Sequence, residues 1–236
     1  MGVFSGEIKD KVLIVIPVFN EEGRIGRVVS ELLERGYLNV LVVDDGSSDN
    51  SSKEAIDAGA FIVRHIINRG AGAATATGME IFRKSEKFKI AVTMDGDGQH
   101  YTEDVIYLMQ MHIEQGADIT IGDRFSSGKN VIPFRRKVYN VIADLVTGWM
   151  SFRMVSDSQS GFRVWSRKAV EKINIEQDGF EFCSEVVIKA HHHGLKISNV
   201  PIRVKYTEES MQKGQGFLVG VKTFFNLLHH VLFKIK

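Results

Sequence analysis

The sequence predicts an α/β fold, a mostly parallel sheet flanked by helices, and three observations carry that prediction. Unbroken apolar runs rich in β-branched residues occur at 11–17, 40–43 and 90–94, as suits parallel strands covered on both faces. Segments of helical period lie between them. Acidic residues follow each run, at Glu21-Glu22, at Asp44-Asp45 and at Asp95 and Asp97, where open α/β sheets bind their ligands.

Taken in order, the first strand is stopped by Pro17, and Val18-Phe19-Asn20-Glu21-Glu22 is the loop beyond it. Val28, Val29, Leu32 and Leu33 are spaced as one face of a helix over 26–36. The second strand ends in Asp44-Asp45-Gly46-Ser47-Ser48-Asp49. There Asp45 can accept from a ribose or base edge, and Ser47 or Ser48 can cap a helix starting near Asn50. A short strand at 61–64 leads through His65 to Arg69-Gly70-Ala71-Gly72. These glycines either open a helix toward an anion or let a helix pack closely on a strand. A helix over 73–85, a strand over 90–94, a helix over 102–115 and a strand over 118–122 follow; the last ends in Asp123-Arg124-Phe125.

Asp95-Gly96-Asp97 points most directly to chemistry. Two carboxylates at i and i+2 past a strand end, with glycines beside them, make a compact oxygen-donor site. Mg²⁺ and Mn²⁺ prefer such oxygens and complete their shells with nucleotide phosphates. An isolated Asp-Gly-Asp is more simply a solvated turn, but acids at three strand ends of one chain argue otherwise.

The segments IPVFNEE, VVDDGSSDNS, MDGDGQH and SGFR, in this order and spacing, resemble those of family 2 glycosyltransferases. They are most similar to the branch of polyprenyl-phosphate (dolichol-phosphate) mannose and glucose synthases, and the likeness runs from about Val12 to Tyr206. The resemblance implies a GT-A fold, a Rossmann-like domain in which Asp95 and Asp97 hold Mg²⁺ or Mn²⁺. It implies inverting transfer of a hexose from a GDP- or UDP-sugar to a lipid phosphate. By the same resemblance Pro17, Phe19, Glu21, Val43 and Asp45 bind the nucleoside, Gly96 stands between the metal-holding aspartates, and Asp97 lies at the reacting end with Gln99 or His100 near the donor, though either of these two equally caps the helix over 101–115. Arg124 is a candidate partner for the diphosphate, which a guanidinium matches in a bidentate fork, or it only neutralises neighbouring acids. Asp123, where the family often carries Ser, and Ala71, where it often carries Lys, depart from the pattern, so Gly70 and Gly72 are assigned no phosphate.

Asp157-Ser158-Gln159-Ser160-Gly161-Phe162-Arg163 resembles the family's acceptor-side segment, and Phe180 to Glu185 resembles a helix start that brings an acid near the sugar. A hydroxyl acceptor needs a general base, for which Asp157 and Glu185 are the candidates; a lipid phosphate is already anionic and needs none. Glu185 equally suits a first helical turn. Gly161 suits a close backbone approach. Arg203, Lys205 and Lys213 supply charge near a polar, glycine-containing loop over 207–216 that reads as a lid. His191-His192-His193 cannot converge on one ion from a helix, so that run reads as a helix end.

The 236 residues, 44% hydrophobic, divide into a catalytic domain over 1–216 and a C-terminal amphipathic helix over 217–236. Lys222, Asn226, His229 and His230 make that helix a poor membrane span. Its apolar face, like that of 138–155 with Trp149, Met150 and Phe152, suits a bilayer interface, a core or a homodimer contact. The implied lipid acceptor favours a peripheral position at the cytoplasmic face of a membrane. A net charge of +1 argues against a nucleic-acid partner. The single cysteine, Cys183, allows no internal disulfide and reads as a small buried hydrophobe. The N-terminus lacks a secretory pattern.

Other classes fit less well. A dehydrogenase would place Gly-x-Gly-x-x-Gly where Pro17-Val18-Phe19-Asn20-Glu21 stands. A nucleotidyltransferase would carry a glycine-rich basic loop there, and a non-catalytic nucleotide-binding domain has no use for three acidic strand ends. A family 2 enzyme with a saccharide or glycolipid hydroxyl acceptor is the second transferase reading.

Overall fold

The computed structural model describes residues 6–126, 128, 130, 132, 134–151 and 155–205. Its strands are β1 (Val12–Val18), β2 (Val40–Asp44), β3 (Phe61–Arg64), β4 (Ile90–Thr93), β5 (Ile119–Asp123), β6 (Arg163–Ser166) and β7 (Ile197–Pro201). They form one sheet in the order β3-β2-β1-β4-β6-β5-β7. Neighbouring strands are parallel except at β6, which runs antiparallel to both β4 and β5. The helices are α1 (Gly6–Lys9), α2 (Ile25–Glu34), α3 (Ser51–Asp57), α4 (Ala71–Lys84), α5 (Asp104–Glu114), α6 (Phe134–Ser151), α7 (Arg167–Lys172) and α8 (Phe182–His192).

The unbroken apolar runs have a simple cause. Successive side chains of a strand point to opposite faces, and both faces here are covered. Leu13, Val15, Leu41 and Val43 pack with Ala74, Phe82, Val186 and Val187 of α4 and α8 on one side. Ile14, Ile16, Val40 and Val42 pack with Val28, Leu32, Val105 and Leu108 of α2 and α5 on the other. Burial also pushes the Cys183 thiol up to about 11, so it behaves as a small inert hydrophobe.

From β1 the chain winds outward through β2 and β3, then returns to β4 on the other side of β1. The order therefore reverses between β1 and β4, and the region past their carboxyl ends is the usual ligand position of open α/β sheets. The loops after β1 and β4 meet there.

Two features were not anticipated. The antiparallel β6 is four residues long, too short to leave a periodicity, yet it inserts between two otherwise parallel halves. Helix α6 begins at Phe134, ahead of the apolar stretch read from 138. The histidine run is a helix end, with α8 closing at His192. Among the described residues no helix is long and apolar enough to cross a membrane. The lid reading over 207–216, Lys213 and the helix over 217–236 fall outside the described residues.

Candidate active site

At the end of β4, the Thr93 hydroxyl donates to Gly161 O at 2.8 Å and faces Trp165 Nε1 at 3.2 Å. These contacts bind the approach to β6 against the start of the Asp-Gly-Asp turn. Asp95 lies deep among protein atoms, although 45% of its side chain stays accessible. His100 Nε2 is 3.1 Å from Asp95 Oδ2, and the His100 ring rests on Phe162 at 5.0 Å. Asp97 accepts from the Gln99 backbone N at 2.9 Å and from Gln99 Nε2 at 2.5 Å. Two glycines are required by close approach: a Cβ on Gly161 would lie 2.5 Å from Asp95 Oδ1, and one on Gly96 2.8 Å from Val18 Cγ2.

The two carboxylates drift in opposite directions. Burial and the neighbouring Asp95 charge push Asp97 above the usual carboxylate range. Burial acts upward on Asp95 as well, but the His100 hydrogen bond and the Arg124 and Arg163 charges outweigh it and hold Asp95 below that range. A pair with this mutual repulsion fits a hard divalent cation. Among the described residues no group of three or more His, Cys, Asp or Glu side chains gathers as a metal cage. An ion held by Asp95 and Asp97 would take its remaining oxygens from ligand and water, as Mg²⁺ and Mn²⁺ do.

The acids after β2 are placed differently. Asp44 is fully buried and accepts from Ser47 N at 2.8 Å and from the Ser52 hydroxyl. Asp45 accepts from His65 Nδ1 at 2.7 Å, from Arg69 N at 3.1 Å on each oxygen, and from Gly70 N at 2.6 Å. The loop after β1 is stapled to the same turn. Asn20, in the left-handed region at φ 55°, donates its N to Ser47 Oγ (2.9 Å) and accepts from Ser48 N (2.9 Å). Glu21 donates its N to Ser51 Oγ at 2.7 Å and pairs through its side chain with Arg24 at 2.7 Å. Of the residues expected at the nucleoside, Phe19 is 45% exposed and Pro17 is half-buried. The Val43 side chain lies wholly in the core, so only its backbone is available to a ligand.

The helix start at Gly70–Gly72, to which no phosphate is assigned, is met by protein backbone. Ala73 N at the beginning of α4 donates to Asp178 O at 3.1 Å. A Cβ on Gly70 would lie 2.3 Å from that oxygen, and one on Gly72 2.0 Å from Gln177 O. The glycines admit the 177–179 backbone, so the close packing is helix against loop rather than helix against strand.

Both candidate bases are engaged by protein partners. Asp157, fully buried with φ 51°, accepts from Arg124 N (2.8 Å), Nε (2.8 Å) and Nη2 (2.5 Å). Glu185 is fully buried, accepts from Glu176 N and Gln177 N at 3.0 Å each, and pairs with Lys189 at 2.7 Å. It anchors a loop. Arg203, read as charge for the donor phosphates, donates from Nη2 to Asp104 Oδ1 at 2.5 Å and stacks over Tyr101. Lys205 also lies over Tyr101, at 4.3 Å. Asp123, the departure from the family pattern, accepts from Phe125 N (2.7 Å) and Ser126 N (3.1 Å) and so shapes the turn carrying Arg124.

Asp144 of α6 carried no sequence signal. It accepts from Asp157 N at 3.0 Å and Ser158 N at 2.7 Å, and burial pushes it above the usual carboxylate range. It holds the strained Asp157 in place, and through it Arg124.

Comparison with known proteins decides the family. Residues 13–173 match the family model described as Glycosyl transferase family 2. The chain belongs to that family. This glycosyltransferase is 34% identical to the UDP-N-acetylglucosamine--dolichyl-phosphate N-acetylglucosaminyltransferase of Methanococcus voltae, over 93% of this chain and 96% of the relative. It is 28% identical to the polyprenol monophosphomannose synthase of Mycolicibacterium smegmatis, over 87% of this chain and 82% of that one. Its fold matches glucosyl-3-phosphoglycerate synthase of Mycobacterium tuberculosis, solved with Mn²⁺, UDP and glucosyl-3-phosphoglycerate. That likeness has a TM-score of 0.72 and 17% identity, covering 96% of this chain and 80% of the other.

Proposed function

We propose that this glycosyltransferase moves a hexose, with inversion, from a nucleoside-diphosphate sugar to a polyprenyl phosphate. The observation that carries the reading is the Asp95–Asp97 pair at the switch point between β1 and β4, with the Gly161 backbone pressed against Asp95. A divalent ion held by those two carboxylates would neutralise charge on the departing diphosphate. Gln99 fixes the Asp97 carboxylate through two hydrogen bonds, and His100 fixes Asp95. Phe19 and the stapled loops after β1 and β2 form the nucleoside end. Arg124 stands at the end of β5, where diphosphate or acceptor phosphate would lie, but its Nε–Nη2 fork is spent on Asp157, so it would meet a phosphate as one half of an ion pair rather than through that fork.

Among the described residues, an acceptor that needs no base fits the site best. A hydroxyl acceptor must lose a proton, and both acids expected to take it are committed to internal partners. A phosphate oxygen attacks as an anion and needs no base, and two relatives bear names that specify dolichyl or polyprenol phosphate products or acceptors. The exposed apolar stripe of α6, with Val138, Val141, Ile142, Leu145 and Trp149, suits a helix lying in a bilayer interface beside such a lipid. The 34% identical relative favours a UDP-linked donor over a GDP-linked one.

Calorimetric titration of UDP, GDP and CMP, each with and without Mn²⁺, tests the donor site. The expected result is metal-dependent binding of one nucleotide, UDP. Incubation with the matching labelled sugar nucleotide and dolichyl phosphate vesicles should then give a lipid-linked sugar. Binding without transfer to the lipid phosphate, but with transfer to a saccharide hydroxyl, would overturn the acceptor assignment.

A further inference from the structure

Buried carboxylates need partners, and Asp45 draws most of its partners from one loop. It is 2% exposed, and its donors are His65 Nδ1, Arg69 N and Gly70 N, all between β3 and α4. Gly46, at φ 76°, lets this loop lie flat on the turn after β2; a Cβ there would lie 2.9 Å from Asn68 N and from the Ile67 carbonyl carbon. His65 is the only side chain among these donors. Its other ring nitrogen, Nε2, is 2.9 Å from Thr77 Oγ1 of α4, and that hydroxyl donates to Ala73 O at 3.1 Å. The imidazole thus links the end of β2 to α4 through its two nitrogens. A carboxylate with this many internal donors has its position set by the loop that supplies them, and it holds that loop in turn.

We propose that His65 is a positioning residue for the nucleoside end of the donor site: its Nδ1 bond orients Asp45, and Asp45 holds the 66–70 loop in place. This rests on the donor-site reading above. The mechanism is preorganisation. A loop already in its binding shape does not have to be ordered when the nucleotide arrives, so the effect belongs to donor affinity and not to the transfer step.

The two nitrogens can be separated by substitution, because an asparagine amide places a donor near Nδ1 and a glutamine amide places one near Nε2. In His65→Gln, which loses the Asp45 bond, nucleotide Kd and donor KM should rise about tenfold, the size of one charge-assisted hydrogen bond. Acceptor KM and kcat should stay within about twofold. His65→Asn should recover most of that loss, and Thr77→Val, which leaves the Asp45 bond intact, should shift donor KM by less than about threefold. Equal effects of the Asn and Gln variants, or a loss that falls on kcat and acceptor KM as much as on donor KM, would overturn the assignment. If neither His65 variant folds, a tenfold or greater rise in donor KM for Thr77→Val would overturn it just as well, since the critical bond would then be the one to α4. Failure of the donor-site reading is distinguishable: the unaltered protein would then bind no nucleotide.

Discussion

The acids after β2 and the acids after β4 look alike as sequence, Asp44-Asp45-Gly46 against Asp95-Gly96-Asp97, and they do opposite things. Asp44 and Asp45 are at most 2% exposed, and both act as acceptors for the turns around them. Asp95 keeps nearly half of its side chain accessible, and Asp97 is raised by burial and by its neighbour's charge. The difference teaches what makes a carboxylate available for a ligand. At β2 the chain folds back and fills the oxygens with its own N–H groups. At β4 the donors are fewer and local, Gln99 for Asp97 and His100 for Asp95, and the two acids still repel one another.

The comparison can be broken most directly by exchanging the roles. Asp97→Asn should lower kcat/KM by on the order of 10²–10³-fold, the cost of removing one group that stabilises a departing anion, while the far-ultraviolet circular dichroism stays unchanged. Comparable activity in that variant would show that the β4 pair is as structural as the β2 pair. Asp44→Ala should do the reverse. It strands Ser47 N and Ser52 Oγ in a buried site, which costs about 3 kcal/mol of stability in denaturant titration.

Gly161→Ala adds a Cβ 2.5 Å from Asp95 Oδ1. A roughly tenfold loss of Mn²⁺ affinity is expected, the scale of a disturbed metal-ligand orientation. A fall in global stability larger than that of Asp44→Ala would instead make Gly161 a packing residue.

The smallest effect concerns pH, and it has opposite signs at the two strand ends. Asp97 has a raised folded pKa, so its protonated form favours the fold; that stability is present below the unfolded value and lost as pH rises through the folded one. Metal-free Asp97→Asn should therefore melt about 2–4 °C above the parent protein at pH 7, the shift of ~1 kcal/mol in a chain of this size. The gain should vanish near pH 3. Asp49, in the turn after β2, is held below its usual value: burial acts upward, but hydrogen bonds from Ser51 and the Glu22 backbone outweigh it. Its contribution is present above the ordinary carboxylate value and lost as pH falls, so Asp49→Asn should melt lower at pH 7 and match the parent in acid. Differential scanning calorimetry at the two pH values checks both.

Much of this molecule was legible without coordinates. The strand positions follow from apolar runs that must be covered on both faces, the order of α and β segments dictates a doubly wound sheet, and the Asp-Gly-Asp turn, taken with the acids at two other strand ends, reads as a candidate cation site. Which acid is free and which is an anchor could not be read this way. Asp157 and Glu185 resemble catalytic acids in sequence, yet each meets a partner distant along the chain, Arg124 in one case and the 176–177 backbone in the other. Asp144 and His65 carry no motif, because their importance comes from what they touch. Local sequence fixes backbone preference and the pattern of burial, whereas hydrogen-bond saturation of a buried group depends on donors delivered by distant segments, and only the tertiary structure brings those together.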